Sequence, residues 1–324
     1  SGITLSSDGT DLLLDGTAIG GGGGADIYAA ETTGSTDPTA TGTLSLAIGS
    51  SADASNTDGI AIGQGATTAG QYGTAVGRLA VASHYGATAI GGNTDATANE
   101  AVAIGWTAQS AGVAAVSLGT SYASGADGFA AAIANNTSSY GATGQNSVAL
   151  GQTSKANGLR GAALGYNNYA NGSHSIAIGS GNTASANNGI AIGDGASASK
   201  VRSMALGTRS APRANGSFAF GTGALVSTGY AQSGLIVIHG RSADATQGTL
   251  VSDSSLQAMG TAGNNNQLIV PSYGAIAFDG MVVARGQGSI SDTDCAAWKV
   301  EGLIRRESGT STTTLVNSAI TVID

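Results

Sequence analysis

Gly59-Ile60-Ala61-Ile62-Gly63 and Ser175-Ile176-Ala177-Ile178-Gly179 are two copies of one phrase, an apolar triplet closed by a glycine. The closing glycines are Gly49, Gly63, Gly77, Gly91, Gly105 and Gly119, then Gly151, Gly165, Gly179, Gly193, Gly207 and Gly221, and the step within each run is constant at fourteen. The residue before each is Ile, Val, Leu or Phe, and two before it stands Ala in every copy except Ser117. A unit of fourteen is too short for a helix pair or a propeller blade but suffices for two short strands and two tight turns, so one copy is one coil of a β-solenoid. The glycine suits a corner that needs positive φ or close backbone approach. Asn157-Gly158, Asn171-Gly172 and Asn188-Gly189 suit the opposite corner. Coils stack at about 4.8 Å, so twelve anchored coils and two disrupted ones predict a rod of roughly 60 to 70 Å.

Alternation assigns the faces. In Ile60-Ala61-Ile62 the outer side chains point one way and the alanine the other, and neither face is polar. A strand with no wet face needs cover on both sides, and a narrow coil has one lumen to offer. The second strand alternates normally, with Ala52, Ala54, Ala66 and Thr68 opposed to Ser51, Asp53 and Thr67. The glycine-anchored strands are therefore expected to pack against identical chains around an axis, with three-fold closure. Ile48, Ile62, Val76, Ile90, Ile104, Leu118, Leu150, Leu164, Ile178, Ile192, Leu206 and Phe220 are the expected trimer and roll core.

The repeat at this period resembles the head of YadA-like trimeric autotransporter adhesins. That resemblance covers about residues 44–230 and implies a left-handed parallel β-roll, a homotrimer and a surface-adhesive role. After the head the sequence departs from that family, without a neck motif, Leu-rich heptads or a membrane-anchor pattern. Residues 1–43, with Asp11-Leu12-Leu13-Leu14-Asp15 and a Gly20–Gly24 run, read as an N-terminal β cap or linker, and Ser1-Gly2 as the start of a processed or cloned fragment. The roll is expected over 44–233. It carries an insertion near 120–147, where the regular step is lost between Gly119 and Gly151 and the interval equals two coils plus four further positions. A loop is expected around Asn135 to Gly144. A C-terminal antiparallel β domain, 234–324, is expected to contain strands at Ala275 to Ala284, Ala296 to Arg305 and Thr313 to Ile323. Its segments Ala277 to Arg285 and Ala297 to Arg306 look like C-terminal domains of bacteriophage tail fibres, in which further strands would follow Asp324.

The two resemblances together imply a phage tail fibre or receptor-binding protein, a virion component that joins other tail proteins and holds a host-surface receptor, polysaccharide by expectation. The alternative is a bacterial surface adhesin of the trimeric autotransporter type. Contact would be multivalent. Tyr and Trp stack on sugar rings, so Tyr140, Tyr166, Tyr169, Tyr85 and Trp106 are candidate contact residues, against the plainer reading that they cover turns.

Other functions fit the composition less well. Charged residues are 10% of the chain, and the net charge of −8 with clustered Lys and Arg lacking argues against nucleic acid. No enzyme is expected. A depolymerase needs paired carboxylates, whereas Glu31, Glu100, Glu301 and Glu307 are scattered, and Asp292 and Asp294 beside Trp298 read as a solvated loop. His84, His174 and His239 lack metal-ligand spacing, so neither metal nor cofactor is expected. Cys295 stands alone. A flat Thr array of the kind an ice binder needs is absent, because the outward positions mix Asp53, Thr67, Val81, Asp95, Gln109, Lys155 and Tyr169.

Overall fold

The computed structural model describes residues 5–7, 12–14, 17–18, 36–131, 140–223, 232–237, 270, 273–285, 295–307 and 313–323. Its body is a β-solenoid of about thirteen coils. A first sheet of 14 strands holds the parallel glycine-anchored strands, from Leu46–Ile48 to Phe218–Thr222, and one closing antiparallel strand, Gln232–Leu235. A second sheet of 12 short parallel strands runs from Thr39–Ala40 to Ser197–Ala198. Register holds throughout, as in Ile60↔Thr74, Ala61↔Ala75 and Ile62↔Val76. Thr39–Ala40 and Gln232–Leu235 extend the roll slightly past the expected limits at both ends.

The lumen is lined almost wholly by small side chains. Ala61, Ala75, Ala89 and Ala103 of the first sheet face inward at 0% exposure, as do Ala54, Thr68 and Ala82 of the second. Strands this short enclose a narrow space, in which the largest fully buried side chains are Asn168 and Asn182. The twelve larger residues expected in the core lie outside it. Ile48, Ile62, Val76, Leu118, Leu150, Leu164 and Leu206 are half-buried, and Ile90, Ile104, Ile178, Ile192 and Phe220 are exposed. They form the outer face of the first sheet, so their assignment to the roll's own core is corrected.

Some of the buried polar residues are bonded into the coils, whereas the hydroxyls of Thr68, Ser117, Ser147 and Ser175 are buried without a partner among the described residues. Thr94 Oγ1, Ser154 Oγ, Asn168 Nδ2 and Asn182 Nδ2 each donate to the carbonyl of the next anchor glycine, Gly105, Gly165, Gly179 and Gly193, at 2.5 to 2.9 Å. Asn168 and Asn182 add a ladder. Asn182 Nδ2 donates to Asn168 Oδ1 at 3.0 Å and to Ile178 O at 2.9 Å, and Asn182 Oδ1 accepts the Ala196 N–H at 2.8 Å.

The corners show why glycine recurs. Gly63 has φ +129°, and a Cβ there would stand 2.5 Å from the Gly77 carbonyl oxygen. At the opposite corner the Asn-Gly pairs act differently from one another. Gly158 is needed because the Gly172 carbonyl approaches too closely for a side chain, while positive φ falls two residues later on Arg160. In Asn188-Gly189 the asparagine itself takes the left-handed conformation.

Between Gly119 and Gly151 the first sheet gains one strand, Phe129–Ala131, which divides the interval into two irregular coils. Val116 pairs with Phe129 and Phe129 with Val148, so one coil is a position shorter than the regular fourteen and the next is five longer. Both sheets run through unbroken, because the change in length is absorbed at corners. Of the expected loop, 135–139 lie outside the described residues, Gly141–Ala142 is a strand of the second sheet and Gly144 lies in the following bend.

At the far end Gln232–Leu235 runs antiparallel to Phe218–Thr222. Gln232 accepts the Ala211 N–H at 2.8 Å and donates to its carbonyl at 2.7 Å, covering polar groups that an open edge would leave unpaired. Leu5–Ser7, Leu12–Leu14 and Thr17–Ala18 form a small antiparallel sheet. Ala275–Arg285, Cys295–Arg306 and Thr313–Ile323 form another, close to the expected bounds, with Val282 and Val322 paired on either side of Trp298.

Candidate adhesive face

Each coil presents one outward side chain from the second sheet, and the register aligns these into a column. Its middle reads Gln109, Tyr122, Gly141, Lys155, Tyr169, Thr183. An unbroken regular step from Gln109 would have brought Ala123 outward. The shortened coil brings Tyr122 instead, and the lengthened coil brings Gly141. Tyr122, Lys155 and Tyr169 are half-buried, and Gly141, between Tyr122 and Lys155, is buried, its backbone so close to the Tyr122 carbonyl that a side chain there would clash.

Tyr140 and Tyr169 meet at this place. Tyr140 packs against the alanine lumen cluster and lies close to the Tyr169 phenol. Tyr169 also donates to Asn167 Oδ1 at 2.9 Å. Burial first, and then the neighbouring Tyr140, push the Tyr169 phenol above its ordinary value. Among the described residues Lys155 has no ion-pair partner.

The other aromatics lie elsewhere. Tyr166 is exposed at the first corner of the same coil as Tyr169, and Trp106 occupies the equivalent corner position four coils earlier. The Trp106 ring lies across Gly92, its Cε3 2.6 Å from where a Cβ would stand, so it covers a turn while remaining 61% exposed. Tyr85 sits at the opposite corner, edge-on to Tyr72 with ring centroids 5.4 Å apart. Tyr72 was not singled out by sequence, although its place one coil before Tyr85 was readable.

Among the described carboxylates, Asp279 and Glu301 stand opposite each other on neighbouring strands with Lys299 between them. Glu100 is exposed at a corner, Glu301 accepts from Lys299 at 2.9 Å, and Glu307 lies 3.7 Å from Arg305. Glu31, Asp292, Asp294 and His239 lie outside the described residues, as does the side chain of Cys295. His84 is bonded to Ser83 and His174 to Arg160, both on the surface. Among the described residues no group of three or more His, Cys, Asp or Glu is placed to hold a metal.

The family model of the YadA head domain repeat, written as two copies, matches residues 40–66, 69–94, 96–121 and five overlapping segments from 142 to 224, together half of the chain. The chain belongs to the YadA head-repeat family. Each YadA head match spans about two coils. The long gap between matches, 122–141, is where the coils first shorten and then lengthen, and where Tyr122, Tyr140 and Gly141 enter the outer face. Residues 225–324, with the C-terminal sheet, lie outside the YadA head matches. No curated protein matches the chain.

Proposed function

We propose that this protein is a homotrimeric, non-enzymatic adhesion fibre that holds a cell surface, its left-handed rolls joined along the first sheet. The observation that carries the reading is the outer face of that sheet. Thirteen coils place two side chains each on it, and all but Thr74 and Thr88 are apolar. At about 4.8 Å per coil the stripe is roughly 58 Å long and, with side-chain width, about 10 Å across. That is on the order of 600 Å², the upper end for the largest patch on a monomer. A stripe of this shape on a narrow roll is buried by closure around a common axis, which leaves the second sheet outward on all three protomers.

Membership of the YadA head-repeat family supports adhesion and a location outside the cell. The finer reading is a fibre on a phage tail, supported by the tail-fibre-like segments Ala277 to Arg285 and Ala297 to Arg306, which pair as neighbouring strands. The second reading, favoured by the YadA repeats themselves, is a bacterial surface adhesin. Light scattering on the purified chain, with retention on host cells and their isolated polysaccharides, tests both parts. Three chains with retention support the fibre; a monomer removes the trimer, and a trimer without retention leaves a structural rod. Antibody labelling of virions against bacterial cells separates the two settings.

A further inference from the structure

The charge of the roll is split along its length. Residues 36–127 carry six carboxylates, Asp37, Asp53, Asp58, Asp95, Glu100 and Asp127, and one cation, Arg78, a net charge of −5. Residues 128–223 carry six cations, Lys155, Arg160, Lys200, Arg202, Arg209 and Arg213, and one carboxylate, Asp194, a net charge of +5. The chain-wide value of −8 hides this reversal. No carboxylate occurs between Asp127 and Asp194, the stretch that contains Gly141, Lys155 and Tyr169. An anion approaching the second half of the roll therefore meets an attractive field over several coils.

Within that field the outer column offers a specific arrangement. Tyr122 and Lys155 stand on either side of the side-chain-free Gly141, and Tyr169 follows Lys155 at the next step of about 4.8 Å. The Tyr169 hydroxyl is held by Asn167 Oδ1 at 2.9 Å, and the exposed amides of Asn157 and Asn171 border the column. We propose that this face binds an acidic polysaccharide, with a sugar carboxylate on the Lys155 ammonium and flanking sugar rings stacked on Tyr122 and Tyr169. Aromatic faces match the apolar faces of sugar rings, and hydroxyl and amide groups match their hydroxyls. A nucleic acid fits less well, since it needs a row of cations along the phosphates and this column holds one. The inference rests on the adhesion reading and names its ligand; three copies in a trimer would add avidity.

The test measures binding of the full chain to immobilised polygalacturonate, neutral dextran and single-stranded poly(dT), alongside retention on a panel of bacterial cells. Binding to polygalacturonate and not to dextran, weakened by salt, is expected. Lys155→Gln should weaken it about tenfold with Lys155→Arg restoring most of it, Tyr122→Ala should weaken it independently, and Arg78→Gln in the acidic half should leave it unchanged. Melting curves confirm that each variant is folded. Retention on cells without polygalacturonate binding overturns the acidic-glycan assignment and leaves adhesion standing, whereas no retention on any surface removes both. Equal binding of poly(dT), indifferent to Tyr122→Ala, would show a general polyanion surface and refute the sugar site.

Discussion

Replacing Asn182 with alanine probes what holds the lumen together. The two N–H groups of its Nδ2 are shared among Ile178 O, Gly193 O and Asn168 Oδ1, and its Oδ1 accepts the Ala196 N–H, all at 2.8 to 3.0 Å. Asn168 Oδ1 keeps a second donor, the Asn182 N–H at 3.1 Å, but the Ala196 N–H loses its side-chain acceptor. A net neutral hydrogen bond is worth about 1 kcal/mol and an orphaned buried donor costs about 1–3 kcal/mol, so Asn182→Ala should cost about 3 kcal/mol. For a folding unit of this size that is a fall in Tm of roughly 6–12 °C, read by thermal unfolding with circular dichroism. Ser154→Ala, which removes one bond to Gly165 O, should cost about a third as much. Asn182→Asp adds a signature in pH. A carboxylate there would face the Ile178 and Gly193 carbonyls, so burial raises its folded pKa and its destabilisation grows as pH rises. A drop of less than about 2 °C for Asn182→Ala would refute the ladder, because it would mean the corner re-forms as it does where alanine naturally stands, at Ala66 and Ala80.

Gly63→Ala should cost at least about 3 kcal/mol, combining left-handed strain with a Cβ 2.5 Å from the Gly77 carbonyl oxygen; loss of folded protein on expression or a lower Tm reads it. Ile178→Glu and Ile192→Glu, on the exposed outer face of the first sheet, should reduce the mass in light scattering from three chains to one while the β spectrum of the roll persists. Burial raises the Asp95 carboxyl above its ordinary value of 3.8, so the folded chain holds that proton more tightly and loses stability as pH rises above it. Asp95→Asn should therefore melt higher than the wild type at neutral pH, and the difference should vanish below pH 3.8.

The repeat was legible because a coil of fixed length stamps one geometry on every copy, and positions such as Gly63 and Ala61 have no freedom to vary. The strands Ala275–Arg285 and Thr313–Ile323 were legible through their length and β-rich composition. The division of the interval from Gly119 to Gly151 was not. Phe129-Ala130-Ala131 lacks the closing glycine, and only pairing shows that it is a full member of the sheet. That shift decides which side chains face outward, so the meeting of Tyr122, Gly141 and Lys155 was hidden although Tyr140 and Tyr169 had been selected as aromatics. Alternation separated the two sides of each first-sheet strand without telling lumen from exterior. The size of the lumen decides that, admitting Ala103 and excluding Ile104. The Asn168–Asn182 ladder was legible only as a coincidence of spacing with the repeat, because asparagine is equally at home in turns.

The antiparallel strand Gln232–Leu235 gives the stack a terminus that depends only on the backbone of the coil beneath it. Every coil of the first sheet presents nearly the same edge, so coils can be duplicated or lost below this strand without redesigning it. Each duplicated coil lengthens the roll by about 4.8 Å and leaves both ends intact. The roll therefore works as a ruler whose reach is counted in gene segments, and a change in the distance to be spanned is met by copying a unit that already fits its neighbours.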